Sequence, residues 1–468
     1  MISLKRQAVR TIANLGPRYL PFADAASDDI PLARLLRLSL FQVTVGMALV
    51  LLVGTLNRVM IVELNVPASL VGIMISLPLV FAPLRALIGF RSDTHRSALG
   101  WRRVPFIWKG TMLQFGGFAV MPFALLVLSG YGEAVDAPLW IGQASAAFAF
   151  LLVGAGVHMV QTVGLALATD LVPEEKQPNV VGLMYVMLLV GMIISAFVFG
   201  ALLIDYTPGR LIQVIQGAAV VTIILNVIAI WKQEPRSRAY AEKAQATPQF
   251  MDSFRKFMRH NAAVRRLLVI GLGTMGFGMA DVVLEPYGGQ VLAMSVAETT
   301  RLTAVLAGGG LIGFAVASRV LTKGSDPLFV ASAGLLVGIP AFSAIILAAH
   351  VTTLGLFMAG TMLVGFGAGL FGHGTLTATM RAAPKAQIGL ALGTWGAVQA
   401  TAAGVAVAIG SVLRDAIVGL QAGQHFAWEA AYIPVFATEI GLLLLALVVI
   451  YPLLKPNFAN VQAKTASS

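Results

Sequence analysis

Apolar stretches of roughly 20 residues recur along this chain from about residue 36 to residue 454. Each is long enough to cross, as a helix, a hydrocarbon core about 30 Å thick. They number twelve, at about 36–62, 68–90, 104–129, 139–170, 180–203, 211–231, 266–288, 300–321, 328–349, 353–381, 387–413 and 433–454. A closed barrel is the only other way to satisfy a backbone in lipid. Barrel strands alternate every second residue, whereas GLLLLALVVI at 441–450 is apolar throughout. The chain therefore reads as an all-α integral membrane protein. Its 58% hydrophobic and 11% charged residues lie well outside the range of soluble globular domains.

Before the first span, no apolar run resembles the core of a cleavable leader. Ile2, Val9, Ile12 and Leu15 set against Lys5, Arg6 and Arg10 suit either a short interfacial helix or a solvated tail. The net charge of +11 would suggest nucleic acid in a soluble protein, so its placement decides. Nearly all Lys and Arg lie at or beside one alternating set of connections. Only Arg210, Arg301 and Arg414 fall on the other set, and Arg58 and Arg85 lie inside spans. This asymmetry places both termini in the cytoplasm. Basic loops at that surface attract anionic membrane lipids, so no nucleic-acid partner is needed to explain them. With no cysteine, the chain has neither disulfides nor thiolate metal sites.

The sequence is internally repeated. LIGF occurs at 87–90 and again at 311–314, an offset of 224 that also lays Gly54 and Asn57 on Gly278 and Asp281. Later in each half, LVGAG at 152–156 matches LVGFG at 363–367, and Ala-Thr at 168–169 matches Ala-Thr at 378–379. These matches predict two pseudo-symmetric six-helix bundles. The expected organisation is an N-terminal segment 1–35, a first bundle 36–231, a linker 232–265, a second bundle 266–454 and a tail 455–468. Within the linker, Phe250, Phe254, Phe257, Met258 and Val264 have helical spacing among basic residues, as in an interfacial helix.

Between spans 2 and 3, Gly89, Asp93, Arg96, Gly100, Arg102 and Arg103 form a glycine-acid-basic cluster. A glycine lets helices approach closely. The Asp can accept charge-assisted hydrogen bonds from arginines or face a helix N-terminus. Two six-helix bundles with this cluster resemble the major facilitator superfamily, which implies its fold and a cytoplasmic latch at these residues. In the second half, Gly313, Arg319 and Lys323 are kept while Ala317 replaces the Asp, so any latch is one-sided.

Ionisable groups inside a span are costly and are functional candidates. The resemblance places spans 1, 4, 7 and 10 around a central cavity. Those spans carry Asn57 and Arg58, His158 and Gln161, Asp281 and Glu285, and His373. Arg58, Asp281 and Glu285 sit in the outer parts of their spans, so a salt bridge between the halves is one expectation and snorkelling to the interface is the other. Asp281 and Glu285, four apart, share a helix face and would titrate as a pair if close. The two imidazoles suit either metal ligation or interhelical hydrogen bonds. Arg85, near the inner end of span 2, suits snorkelling. No phosphate-binding loop or His/carboxylate metal motif is present, so neither an enzyme, a bound nucleotide nor a free metal is expected.

Four longer stretches are more specific. They are GPRYLPFADAASDDIPLARLLRLSLFQVTVGMALVLLVGTLNRVMIVEL, LRALIGFRSDTHRSALGWRRVPFIWKG, ATDLVPEEKQPNVVGLMYVM and GFGMADVVLEPYGGQVL. They resemble the PucC/LhaA light-harvesting assembly proteins of purple bacteria, above all at Asn57-Arg58 and at Glu285 to Gly289. The resemblance implies a multi-pass protein of the inner and intracytoplasmic membranes that delivers bacteriochlorophyll to antenna polypeptides. Its partners would be the light-harvesting α and β polypeptides and bacteriochlorophyll synthase. His158 or His373 would then be possible axial ligands of the chlorin magnesium. A proton-coupled carrier of a small solute and a non-transporting scaffold for antenna polypeptides are the alternatives.

Overall fold

A computed structural model describes residues 30–80, 85, 88, 91–92, 101–130, 134, 136–234, 261–351, 353–382, 388–420 and 427–465. The expected interfacial helix of the N-terminal segment, most of the linker, and Gly89, Asp93, Arg96 and Gly100 lie outside the described residues.

Among the described residues every regular element is helical. Eleven helices are long and apolar enough to cross a membrane, and a shorter apolar helix, Ala68–Leu79, occupies the position of span 2. Spans 3 to 6 are Val104–Ser129, Leu139–Asp170, Gln177–Leu202 and Pro208–Ile230. Spans 8 to 12 are Val296–Thr322, Pro327–Val351, Leu354–Ala382, Ile388–Leu420 and Glu429–Thr465. The helix of span 12 thus runs on through most of the expected tail. Helix ends obey local chemistry: Gly130 closes span 3 in the left-handed region (φ 58°), and Ser295 with Glu298 forms a capping box at the start of span 8.

Two spans are irregular. Span 1 runs from Leu32 to Glu63, but its second half consists of π turns at Val50–Leu56 and Val59–Glu63. Span 7, expected as one helix over 266–288, is two: Asn261–Gly278 and Ala280–Val291, separated at Met279. Both irregularities fall around the residues that the offset of 224 superposes.

The described residues form two compact units. One takes in those numbered up to 49 with 84–195 and 211–244; the other takes in 50–83, 196–210 and everything from 245 onward. In the second unit the irregular half of span 1 and span 2 therefore pack with the second sequence half. Span 2 lies so close to span 11 that a Cβ on Gly72 would stand 2.0 Å from Ser411 Oγ.

Glycine contacts repeat in the two halves. Span 3 meets span 4 backbone to backbone, with Gly110 and Gly156 each facing the other's carbonyl, and span 9 meets span 10 in the same way through Gly334 and Gly367. Gly110 and Gly334 are related by the offset of 224, and Gly156 and Gly367 by 211, so the repeat read in the sequence is a repeat of helix contacts. Spans 8 and 10 approach more closely still. A Cβ on Gly309, Gly313 or Gly365 would lie 2.0, 2.2 or 2.0 Å from a carbonyl oxygen of the facing helix. This is the small-residue packing that stands in for hydrophobic association in lipid.

Candidate functional site

The broken span 7 organises the site in the second unit. Pro286 lacks an N–H, so the carbonyl four residues earlier, on Val282, loses its helical donor. Asn57 Nδ2 donates to that carbonyl at 2.9 Å. At the break, the Ala280 N–H donates to Glu439 Oε1 at 2.7 Å. A side chain from span 1 and another from span 12 thus satisfy the backbone groups that the irregular helix exposes, as buried polar groups require.

Three carboxyl groups gather there. Glu285 Oε1 accepts from Thr303 Oγ1 at 3.0 Å, and its second oxygen is buried without a partner. Glu439 is fully buried, and its Oε2 is likewise without a partner. Asp281 is half-buried and lies within electrostatic reach of both. Gly54 of span 1 packs against the Thr303 hydroxyl and Glu285, and Thr55 bonds Thr300 at 3.2 Å. Glu439 escaped the sequence reading, although a lone acid in the apolar run VFATEIGLLLL was a visible signal.

Arg58 does not pair with Asp281 or Glu285. Its ion-pair partner is Glu63, five residues on along its own span, and Nη2 donates to the Met294 carbonyl at 3.1 Å. A π turn carries residue i over residue i+5, so the irregular helix makes this pair. Only 4% of Arg58 is exposed, and Asn57 is fully buried; both hold helices together rather than face open space. Nearby, burial and the Glu63 carboxylate push the Tyr206 phenol up to about 12, with Arg58 acting in the opposite sense.

A second polar cluster was also not foreseen. Arg414 Nη1 and Nη2 bind Asp415 at 2.7 Å and Gln290 at 2.8 Å, while the guanidinium lies 5.2 Å from the Trp428 ring and 5.4 Å from Tyr432. Asp415 also accepts the Ser69 N–H at 2.7 Å, which ties span 2 to span 11.

The remaining candidates are distributed between the units. In the first, Gln161 accepts from Arg85 Nη2 at 2.6 Å and Thr162 from Arg85 Nε at 3.0 Å, so Arg85 is anchored in protein and does not snorkel. His158 is half-buried within electrostatic reach of Arg85, and its Nδ1 has no hydrogen-bond partner. In the second unit, His373 packs on Phe314 with ring centroids 4.1 Å apart. Arg102 and Arg103 both bind Asp170 at the end of span 4, at 2.7 and 3.1 Å, and Arg103 also binds Ser92. The backbone N–H groups of Arg102, Arg103 and Val104 converge on Glu234, at 2.8 to 3.0 Å. These described bonds lie within the first unit and fix the start of span 3. No cluster of three metal-ligating side chains occurs among the described residues.

The sequence profile of the family described as PUCC protein matches residues 55–458. This chain belongs to that family. The matched region contains every candidate site residue. Protein PucC of Rhodovulum sulfidophilum is 67% identical over 420 residues, covering 89% of this chain and 92% of that protein. The bacteriochlorophyll synthase 44.5 kDa chain of Rhodobacter capsulatus is 28% identical over 393 residues, covering 82% and 87%. Among solved structures, a bacterial homologue of the human lysosomal transporter Spinster, inward-facing and unoccupied, superposes with a TM-score of 0.66 at 16% identity, covering 91% of this chain and 97% of the other. This chain thus shares the fold of that transporter.

Proposed function

We propose that this protein is an assembly factor for a bacterial light-harvesting antenna, binding bacteriochlorophyll in the membrane and delivering it to the antenna α and β polypeptides. Membership of the PUCC family over nearly the whole chain carries this reading. It is supported by a relative whose name ties it to bacteriochlorophyll synthase, the enzyme we take as a partner. The seat is the inner membrane and its intracytoplasmic extensions, and the role is not enzymatic. His158 offers a half-buried imidazole whose Nδ1 is uncommitted, and His373 a second held against Phe314. A neutral imidazole nitrogen is the group that a chlorin magnesium takes as an axial ligand. The test is the absorbance of protein purified from pigment-producing cells. Co-purifying chlorin that is lost in His158→Ala or His373→Ala supports carriage, and colourless protein that still restores antenna assembly favours a scaffold.

One observation favours a second reading. Glu285 and Glu439 are buried within apolar spans with one carboxyl oxygen each unpartnered, and Asp281 lies on the same stretch of span 7, so these acids are candidate proton carriers. Proton-driven solute uptake in proteoliposomes, abolished by Glu285→Gln, would establish a coupled carrier instead.

A further inference from the structure

We propose that the recess lined by Arg37, Val227, Ile228 and Trp231 is a binding site for an anionic phospholipid. Two elements of the first unit make it: the start of span 1 and the end of span 6. Arg37 Nη2 donates to the Trp231 carbonyl at 2.9 Å, which fixes the guanidinium at the mouth. Its Nε is buried with no hydrogen-bond partner, so this N–H lacks the acceptor that a phosphate oxygen supplies.

Charge selects the headgroup. Arg34 is held beside the recess by Gln233, at 3.1 Å to its side chain and 2.8 Å to its carbonyl, and Lys232 is exposed in a left-handed turn (φ 53°). Arg34, Arg37 and Lys232 form no ion pair among the described residues. The adjacent carboxylate, Glu234, is occupied by the N–H groups at the start of span 3. Three cations without an ion pair among the described residues favour a phosphodiester without a balancing ammonium, such as phosphatidylglycerol, over phosphatidylcholine.

The apolar side of the recess selects a lipid over a free anion. Val227 and Ile228 lie about one helical turn, roughly 5 Å, further into span 6 than Trp231. Ile228 is 42% and Trp231 60% exposed. Trp231 occupies the interfacial position that suits indole, at the end of the span. The headgroup phosphate meets Arg37, and the first methylenes of an acyl chain lie along Val227 and Ile228.

Trp231 makes the site observable. The full-length protein in phosphatidylcholine nanodiscs is titrated with brominated phosphatidylglycerol or brominated phosphatidylcholine while tryptophan fluorescence is recorded. Phosphatidylglycerol is expected to quench at a lower mole fraction, and the difference is expected to vanish in Trp231→Phe. Arg37→Gln and the exposed Lys232→Gln should each weaken the preference about fivefold, whereas Arg37→Lys should retain most of it. Equal quenching by the two lipids, or a preference unchanged in both glutamine variants, overturns the proposal. Loss of the quenching difference on adding millimolar inorganic phosphate would reassign the recess to a free anion and also overturn it.

Discussion

Gly308 and Gly309 are neighbours in span 8, yet replacement by alanine should destabilise the protein only at Gly309. At Gly309 the new Cβ would stand 2.0 Å from the Met362 carbonyl oxygen, 2.9 Å from its carbon and 3.0 Å from the Phe366 nitrogen. That is about 1.5 Å short of an attractive contact. All three obstacles are backbone, so no rotamer change relieves the clash and spans 8 and 10 must separate. Overpacking of this kind costs about 1–3 kcal/mol, and an obstacle made of backbone puts this site at the upper end. Alanine recovers at most about 1 kcal/mol of helix propensity. The net expectation for Gly309→Ala is a loss of about 2 kcal/mol, roughly thirtyfold in the unfolding equilibrium. At Gly308 a Cβ meets nothing within 4 Å, so Gly308→Ala should be neutral or stabilising by up to about 1 kcal/mol. Reversible unfolding in mixed micelles with increasing SDS, followed by circular dichroism, measures both. Equal stability of the two variants would refute the assignment of the span 8 and span 10 contact to glycine packing.

Asn57→Leu should leave the Val282 carbonyl unsatisfied and cost about 1–3 kcal/mol. In a Pro286→Ala background, where the alanine N–H can serve that carbonyl, the cost should shrink, and a double-mutant cycle reads the coupling. Arg414→Lys should lose about 1–3 kcal/mol in the same unfolding assay, because an ammonium cannot hold Asp415 and Gln290 together while lying against Trp428 and Tyr432. Glu234→Ala removes the acceptor of three N–H groups at the start of span 3. It should cost about 1 kcal/mol and speed hydrogen exchange at Val104 to Ile107.

The twelve spans were legible because each is apolar over its whole length, and the duplication because its glycines recur at fixed offsets. Gly313 stands out as a close-approach residue by its place in the repeated LIGF, and a Cβ at that position would meet the Phe366 carbonyl at 2.2 Å. Hydrophobicity carries no information on where a helix changes its winding, so the π turns of span 1 and the break in span 7 were invisible. The partners of Arg58 went with them, since a residue five positions on lies off the face of an ordinary α-helix. Pro286 marks a missing helical N–H within span 7, but nothing in the sequence says that Asn57 supplies the donor in its place. Glu439 was overlooked because its role depends on a backbone N–H that becomes available only once span 7 is broken.

Where spans 8 and 10 touch through bare backbone, no compressible side chain lies between them, and the pair resists bending as a single thick rod. The second half of span 1 is wound as π turns, and span 7 beside its Met279 joint depends on side chains borrowed from spans 1 and 12. Mechanical compliance in the second unit is therefore concentrated in two helices out of many. Any load placed on this part of the protein is relieved there first, beside the acidic groups.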